Sequence, residues 1–219
     1  PAAFERVPQQ PVARICLNDL LFVGSNSNAN EAGLVWFLKE VFPRTLKEMP
    51  GATLTVAGRI SVNRRVVSAA KEHGPRVKCL GLVEDLNPLY RESKVVICPL
   101  LFGTGMKIKT VEAMSNTCAI VGTSVAFDSI AAPDGEHAMI ADDPAAFSDK
   151  VLLLLSDSRL RRSIAYGAYR LFSNNHTESS IEGLIREVID RPEERATSDR
   201  IVGRPLPLFT PMGAVAPAE

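Results

Sequence analysis

No stretch of this chain is long and apolar enough to cross a bilayer: the longest runs are of the kind "VLLLL" at 151 to 155, a fraction of the roughly 20 residues a spanning helix needs. No basic-then-apolar leader is evident near Pro1. An excess of either charge is also lacking, since 25 basic side chains face 25 acidic ones, and that balance gives no broad positive field for nucleic acid. Cysteines are few. Cys16, Cys79, Cys98 and Cys118 lie far apart, so neither zinc-ligand spacing nor a disulfide framework is indicated, and all four are expected reduced and buried. Histidine is scarcer still, and His73, His137 and His176 sit near helix ends or a strand start, where structural or exposed roles are expected. These absences leave a cytoplasmic or membrane-peripheral protein with no nucleic-acid partner and no transmembrane segment.

What is present is alternation. Short β-branched runs recur from Leu20 onward, at "LLFVG" (20 to 24), "TLTVA" (53 to 57), "VKCLG" (77 to 81), "KVVICPL" (94 to 100), "CAIVG" (118 to 122) and "HAMIA" (137 to 141). Segments of helical period separate them, which predicts an α/β fold with a Rossmann-like open parallel sheet of about six strands flanked by helices. Leu34, Phe37, Leu38, Val41, Phe42 and Leu46 recur at three- and four-residue steps and predict one helix with an apolar stripe. Asp85 and Asp143, the latter followed by Pro144, are N-cap candidates. After Asp143 the pattern is wholly helical: Phe147, Val151 and Leu154, then Leu160, Ile164 and Leu171, then Ile181, Leu184, Ile185 and Val188. The expected organisation is a linker or cut end over 1–18, a domain over 19–190, and an extended proline-rich tail over 191–219, where five prolines crowd and periodicity is lost.

Ligands of open parallel sheets bind at the carboxyl ends of the strands. Small residues gather there: Gly24 and Ser25, Gly58 before Arg59, Gly81 before Leu82 and Val83, Gly103 to Gly105, and Gly122 to Ser124. Any one of these glycines fits a tight turn; five would line one rim. The most informative is "FGTGMKIKTVEAM" at 102 to 114, where a glycine-rich loop feeds a helix N-terminus. Free amides and the positive end of the helix dipole then face outward, which suits a phosphate or diphosphate. Lys107 and Lys109 add positive charge, and Glu112, about 10 Å of helix rise beyond Gly105, could accept both hydroxyls of a ribose. The spacing of Lys109 and Glu112 fits a solvated ion pair equally well.

The succession of elements resembles the C-terminal, nucleotide-sugar-binding half of retaining glycosyltransferases of the family 4 (group 1) type, over roughly residues 19 to 190. The most specific piece is "GTGMKIKTVEAM", similar to the signature G-x-G-x-[KR]-x-K-x-x-E-A-M, with "GLVEDLNPLY" ahead of it as a second anchor. The resemblance implies the GT-B fold: a metal-independent transferase with two Rossmann-like domains facing each other across a cleft, of which this chain would supply the donor half. It would take part in glycan or polysaccharide biosynthesis, with a nucleotide-diphosphate sugar as donor substrate and no prosthetic group. The acceptor, a sugar, lipid-linked or polysaccharide chain, would come through an N-terminal domain, which could also hold the protein at the inner membrane face.

By that resemblance Glu112 would hold the ribose hydroxyls and Val83 would contact the base. Gly103, Thr104, Gly105, Met106 and Lys107 would border the diphosphate and the transferred sugar, with Lys109 beside them. Glu112 and Lys107 would be the catalytic pair; Gly24 and Ser25, placed by the strand-end rim, and Arg59, whose family counterpart is not a fixed contact, are expected to complete the donor site. The chain departs from the family pattern in four places. Thr104 stands where a second glutamate is usual, "GSNSNANEAG" has no basic residue, Thr117 and Ala119 replace a glycine and a proline, and Ala126 and Ser129 occupy positions where glycines are common. Two other readings fit the same architecture: a sugar-nucleotide epimerase or phosphorylase, and a non-catalytic module on a degenerate nucleotide site.

Overall fold

The computed structural model describes residues 16–104 and 107–175. The described residues belong to the first of two units into which the chain divides, Pro1–Glu182 and Gly183–Glu219. The expected helical stripe from Ile181 to Val188 and the proline-rich tail lie outside the described residues.

All six expected strands form, each trimmed or shifted at its ends: β1 (Asn18–Val23), β2 (Leu54–Ala57), β3 (Val77–Cys79), β4 (Ser93–Cys98), β5 (Ala119–Gly122) and β6 (Met139–Ile140). Every pairing is parallel, and the order is β3-β2-β1-β4-β5-β6. Leu20 of β1 lies level with Leu54 of β2 on one side and Val95 of β4 on the other. Chain direction across the sheet therefore reverses between β1 and β4, and the crossovers on either side leave a crevice there.

Alternation in β1 divides the core. Leu20 and Phe22 face a cluster built with Leu34, Phe37, Leu38, Val41 and Phe42, joined by Phe147, Val151 and Leu154 from α6 (Pro144–Ser156). Leu21 and Val23 face the opposite cluster, with Tyr90 of α4 (Asn87–Glu92), Val111 and Met114 of α5 (Ile108–Ser115), and Ala168 and Phe172 of α7 (Ser158–Asn175). Each large side chain hidden this way contributes about 1.5–3 kcal/mol relative to exposure.

The first apolar stripe is continuous but its helix is not uniform. α1 (Asn28–Trp36) passes through a π-helical turn at Phe37–Val41 into α2 (Phe42–Glu48). Pro43 has no N–H to give the carbonyl four residues back, and the register widens beside it, Phe42 donating to Phe37. The stripe survives, with Leu34, Phe37, Leu38, Val41 and Phe42 fully buried. Asp143 caps α6 as expected, accepting from Ala145 and Ala146. Asp85 is not the N-cap of α4, a position taken by Leu86; it accepts from the amide of the first helical residue, Asn87, at 3.0 Å. The expectation of four buried cysteines needs correction: Cys98 and Cys118 are buried, Cys16 is half-buried, and Cys79 is exposed because β3 is the sheet edge.

Candidate functional site

The carboxyl ends of β1, β2 and β3 carry loops that touch one another. Gly24 donates to Ala57 at 3.0 Å, and its own carbonyl accepts from Ile60 at 3.2 Å. Gly58 adopts φ +89°, and a Cβ there would stand 2.4 Å from the Gly24 oxygen, so only glycine fits. Gly58 in turn donates to Gly81 at 2.8 Å, and Gly81 donates to Ser61 Oγ at 2.8 Å. Arg59 and Ser25 stand exposed on this rim, while Val83 is half-buried against the α4–α5 cluster beside an exposed Leu82.

On the other side of the crevice, the β4–α5 loop exposes Leu101, Phe102, Gly103 and Thr104; Gly105 and Met106 lie outside the described residues. Lys107 folds beneath this loop rather than over it. Its side chain is only 5% exposed, with Nζ 3.0 Å from the Gly103 carbonyl and 3.4 Å from Asp128 Oδ1. The positive charge therefore backs the loop from below. Thr123 from the β5 end also donates to the Leu100 carbonyl, anchoring the loop's start. α1 approaches this loop closely: a Cβ on Gly33 would sit 1.9 Å from the Pro99 oxygen.

The crevice floor lies between these loops. Asn30, in the first turn of α1 and only 4% exposed, donates from Nδ2 to the Ser25 carbonyl at 2.9 Å and to Ser25 Oγ at 3.3 Å, and accepts from Lys109 Nζ at Oδ1. The Lys109 ammonium also lies 5.2 Å from the centre of the Phe22 ring. Burial pushes its titration below the ordinary lysine range, an effect that Cys98 and Glu112 partly offset. Glu112, half-buried one turn further along α5, accepts from the Tyr90 hydroxyl at 3.3 Å. Burial, followed by the nearby Glu112 charge, drives the Tyr90 phenol far above its usual range, so it stays a donor.

Lys109 and Glu112 are not among the ion pairs of the described residues, and each turns instead to a partner from another element. The crevice thus brings Gly24, Ser25, Gly103, Lys107, Lys109 and Glu112 around β1, β4 and α5, with Arg59 and Val83 on the flanking loops of β2 and β3. Three contributors went unrecognised in the sequence: Asn30, Tyr90 and Asp128. Asn30 sits in "NSNANE", where nothing in the composition separates a buried amide from a loop residue, and Tyr90 reads as an ordinary amphipathic position.

His73 donates from Nε2 to the Leu38 carbonyl at 2.8 Å and packs on Phe42, away from this crevice, and His176 lies outside the described residues. Among the described residues no group of three His, Cys, Asp or Glu could hold a metal ion, and no helix is long and apolar enough to cross a membrane.

The sequence profile of the family described as Glycosyl transferases group 1 matches residues 18–157. A Klebsiella pneumoniae protein described as an uncharacterized 44.6 kDa protein in the cps region is 27% identical over 169 residues, covering 74% of this chain and 44% of its own length. The chain thus spans less than half of that relative. Among solved structures, TarM superposes with a TM-score of 0.68 at 14% identity, over 84% of this chain and 37% of TarM. The C-terminal domain of a group 1 family glycosyl transferase, LpcC, from Francisella tularensis matches with a TM-score of 0.59 at 21% identity, over 73% of this chain and 87% of that domain. HepE from Anabaena, solved with UDP and glucose, matches at 0.62 and 16% identity, over 80% of this chain and 49% of HepE. At such identities these structures establish a shared fold.

Proposed function

Since the chain belongs to the group 1 glycosyl transferases, we propose that residues 19–190 are the donor-binding half of a retaining, family 4 type enzyme that transfers a hexose or related sugar from a nucleotide diphosphate. The observation that carries this reading is the meeting of the Gly103 loop, Lys109 and Glu112 at the crevice where the strand order reverses. It is supported by the solved HepE complex with UDP and glucose and by the match to an isolated C-terminal domain of a family member.

In this reading the diphosphate rests on the Gly103–Lys107 loop and the first amides of α5. Their dipoles, with the Lys107 charge beneath, stabilise the diphosphate as it departs while the acceptor attacks the sugar carbon from the same face. Glu112, oriented by Tyr90, accepts the ribose hydroxyls. Val83 contacts the base, and Ser25 and Arg59 close the rim. The acceptor arrives through a further, N-terminal domain of the whole enzyme, so the 219 residues bind donor without turning it over.

Isothermal titration against UDP, GDP and their sugar conjugates tests the proposal. At least one should bind, and Glu112→Ala should weaken that affinity tenfold or more, about 1.4 kcal/mol. Silence across the panel would favour a non-catalytic scaffold, and sugar transfer by these residues alone would refute the division of labour.

A further inference from the structure

Asn30 is a buried, uncharged amide, and such a group is costly unless its hydrogen bonds are made. Here they are: both Nδ2 bonds go to Ser25, and Oδ1 accepts a hydrogen bond from Lys109. Space for the amide comes from Gly24, whose added Cβ would stand 3.2 Å from Asn30 Nδ2 and 2.8 Å from the Phe22 ring. Asn30 therefore ties the β1–α1 loop to the first turn of α5 across the crevice.

The groups that receive Lys109 are neutral, an amide oxygen and a ring face. The titratable groups around it are Glu112 on its own helix, which accepts from Tyr90 of α4, and Cys98 of β4; Lys107 and Asp128 pair with each other along the loop. Among the described residues its charge is thus held in place without an ion-pair partner. An ammonium has three donors, and Asn30 takes one.

We infer that Asn30 is a positioning residue: its buried amide fixes Lys109 against the β1–α1 loop, so that the ammonium and the Ser25 edge meet one anionic group, the diphosphate of the donor. The inference rests on the donor-binding reading above and adds the residue that aims the charge.

The test uses the 219-residue chain and UDP as the probe, with a ligand-free readout alongside. Asn30→Ala and Lys109→Met should each weaken UDP binding by about tenfold, and the double variant should be no weaker than either single change, because the two act as one unit. Without ligand, the Lys109 ammonium followed by NMR should titrate at lower pH in Asn30→Ala, which removes its acceptor, and at higher pH in Asn30→Asp, which supplies a carboxylate. Asn30→Asp keeps the shape of the amide, so it carries the test if Asn30→Ala is unstable; it should also weaken UDP, because the new carboxylate neutralises the charge. Wild-type UDP affinity in Asn30→Ala, or additive losses in the double variant, would overturn the inference. If the wild-type chain takes up GDP and not UDP, GDP is the probe for the same variants. If it takes up neither UDP nor GDP nor their sugar conjugates, the donor reading fails by itself. An Lys109 titration that still moves with Asn30 then supports the Asn30–Lys109 link, and one that does not move overturns it.

Discussion

Tyr90 and Glu112 illustrate how a side chain acquires a direction. The hydroxyl comes from α4, the carboxylate from α5, and the 3.3 Å contact fixes the outer end of a flexible glutamate. Replacing Tyr90 by Phe removes that donor and little else, since the ring stays in a cluster with Val96 and Met114. We expect Tyr90→Phe to lower nucleotide affinity roughly threefold to tenfold, at a cost of about 1 kcal/mol in binding, and to leave the melting temperature within a few degrees of wild type. Titration of UDP and a thermal melt check both arms. At this scale the sequence was half legible. Glu112 and the glycine loop stood out because spacing along one helix is visible in one dimension. Asn30 and Tyr90 did not, because each matters through a contact with a residue 79 or 22 positions away. Lys107 is legible as a charge beside the loop, but its burial beneath that loop and its pairing with Asp128 appear only in the fold.

Between elements, the tightest fit in the crevice wall is that of α1 on the β4–α5 loop. Gly33 lets the helix backbone lie against Pro99, and the 1.9 Å separation predicted for a Cβ leaves no room for even a methyl group. Gly33→Ala should therefore displace α1 and cost about 1–3 kcal/mol, lowering the melting temperature by roughly 3–10 °C. Because α1 carries Asn30, nucleotide affinity should fall with it; a melt and a UDP titration equal to wild type would contradict this packing. Strands and their sequence order were readable as elements, since buried parallel strands announce themselves as short β-branched runs. Their ends were less so: "HAMIA" yields only the two-residue β6, because Ala138 and Ala141 belong to the flanking loops rather than the ladder. Nor did the stripe from Leu34 to Leu46 reveal the π-helical turn, which keeps the same face buried and so leaves the apolar pattern unchanged.

For the molecule as a whole, the sheet order sets where a ligand can approach. Exposed large apolar side chains gather on the same rim as the crevice: Val62 after β2, Leu80 and Leu82 after β3, and Leu101, Phe102 and Ile108 around the β4–α5 loop. A depression of about 730 Å³ lined by Phe127, Ile130 and Pro133 lies in the segment that follows β5. Composition alone could not disclose this, because the chain's balanced charge says nothing about how apolar residues are distributed over the surface.

The linked glycines at the ends of β1, β2 and β3 have a dynamic corollary. Amides of Gly24, Gly58 and Gly81 lie past the strands yet donate at 2.8–3.0 Å, so their deuterium uptake should be as slow as that of the neighbouring strand residues, and Gly58→Ala should make all three exchange faster together. Three turns that look independent along the chain would then open as a single cooperative flap, and whatever steadies one end of that row would be felt at the other.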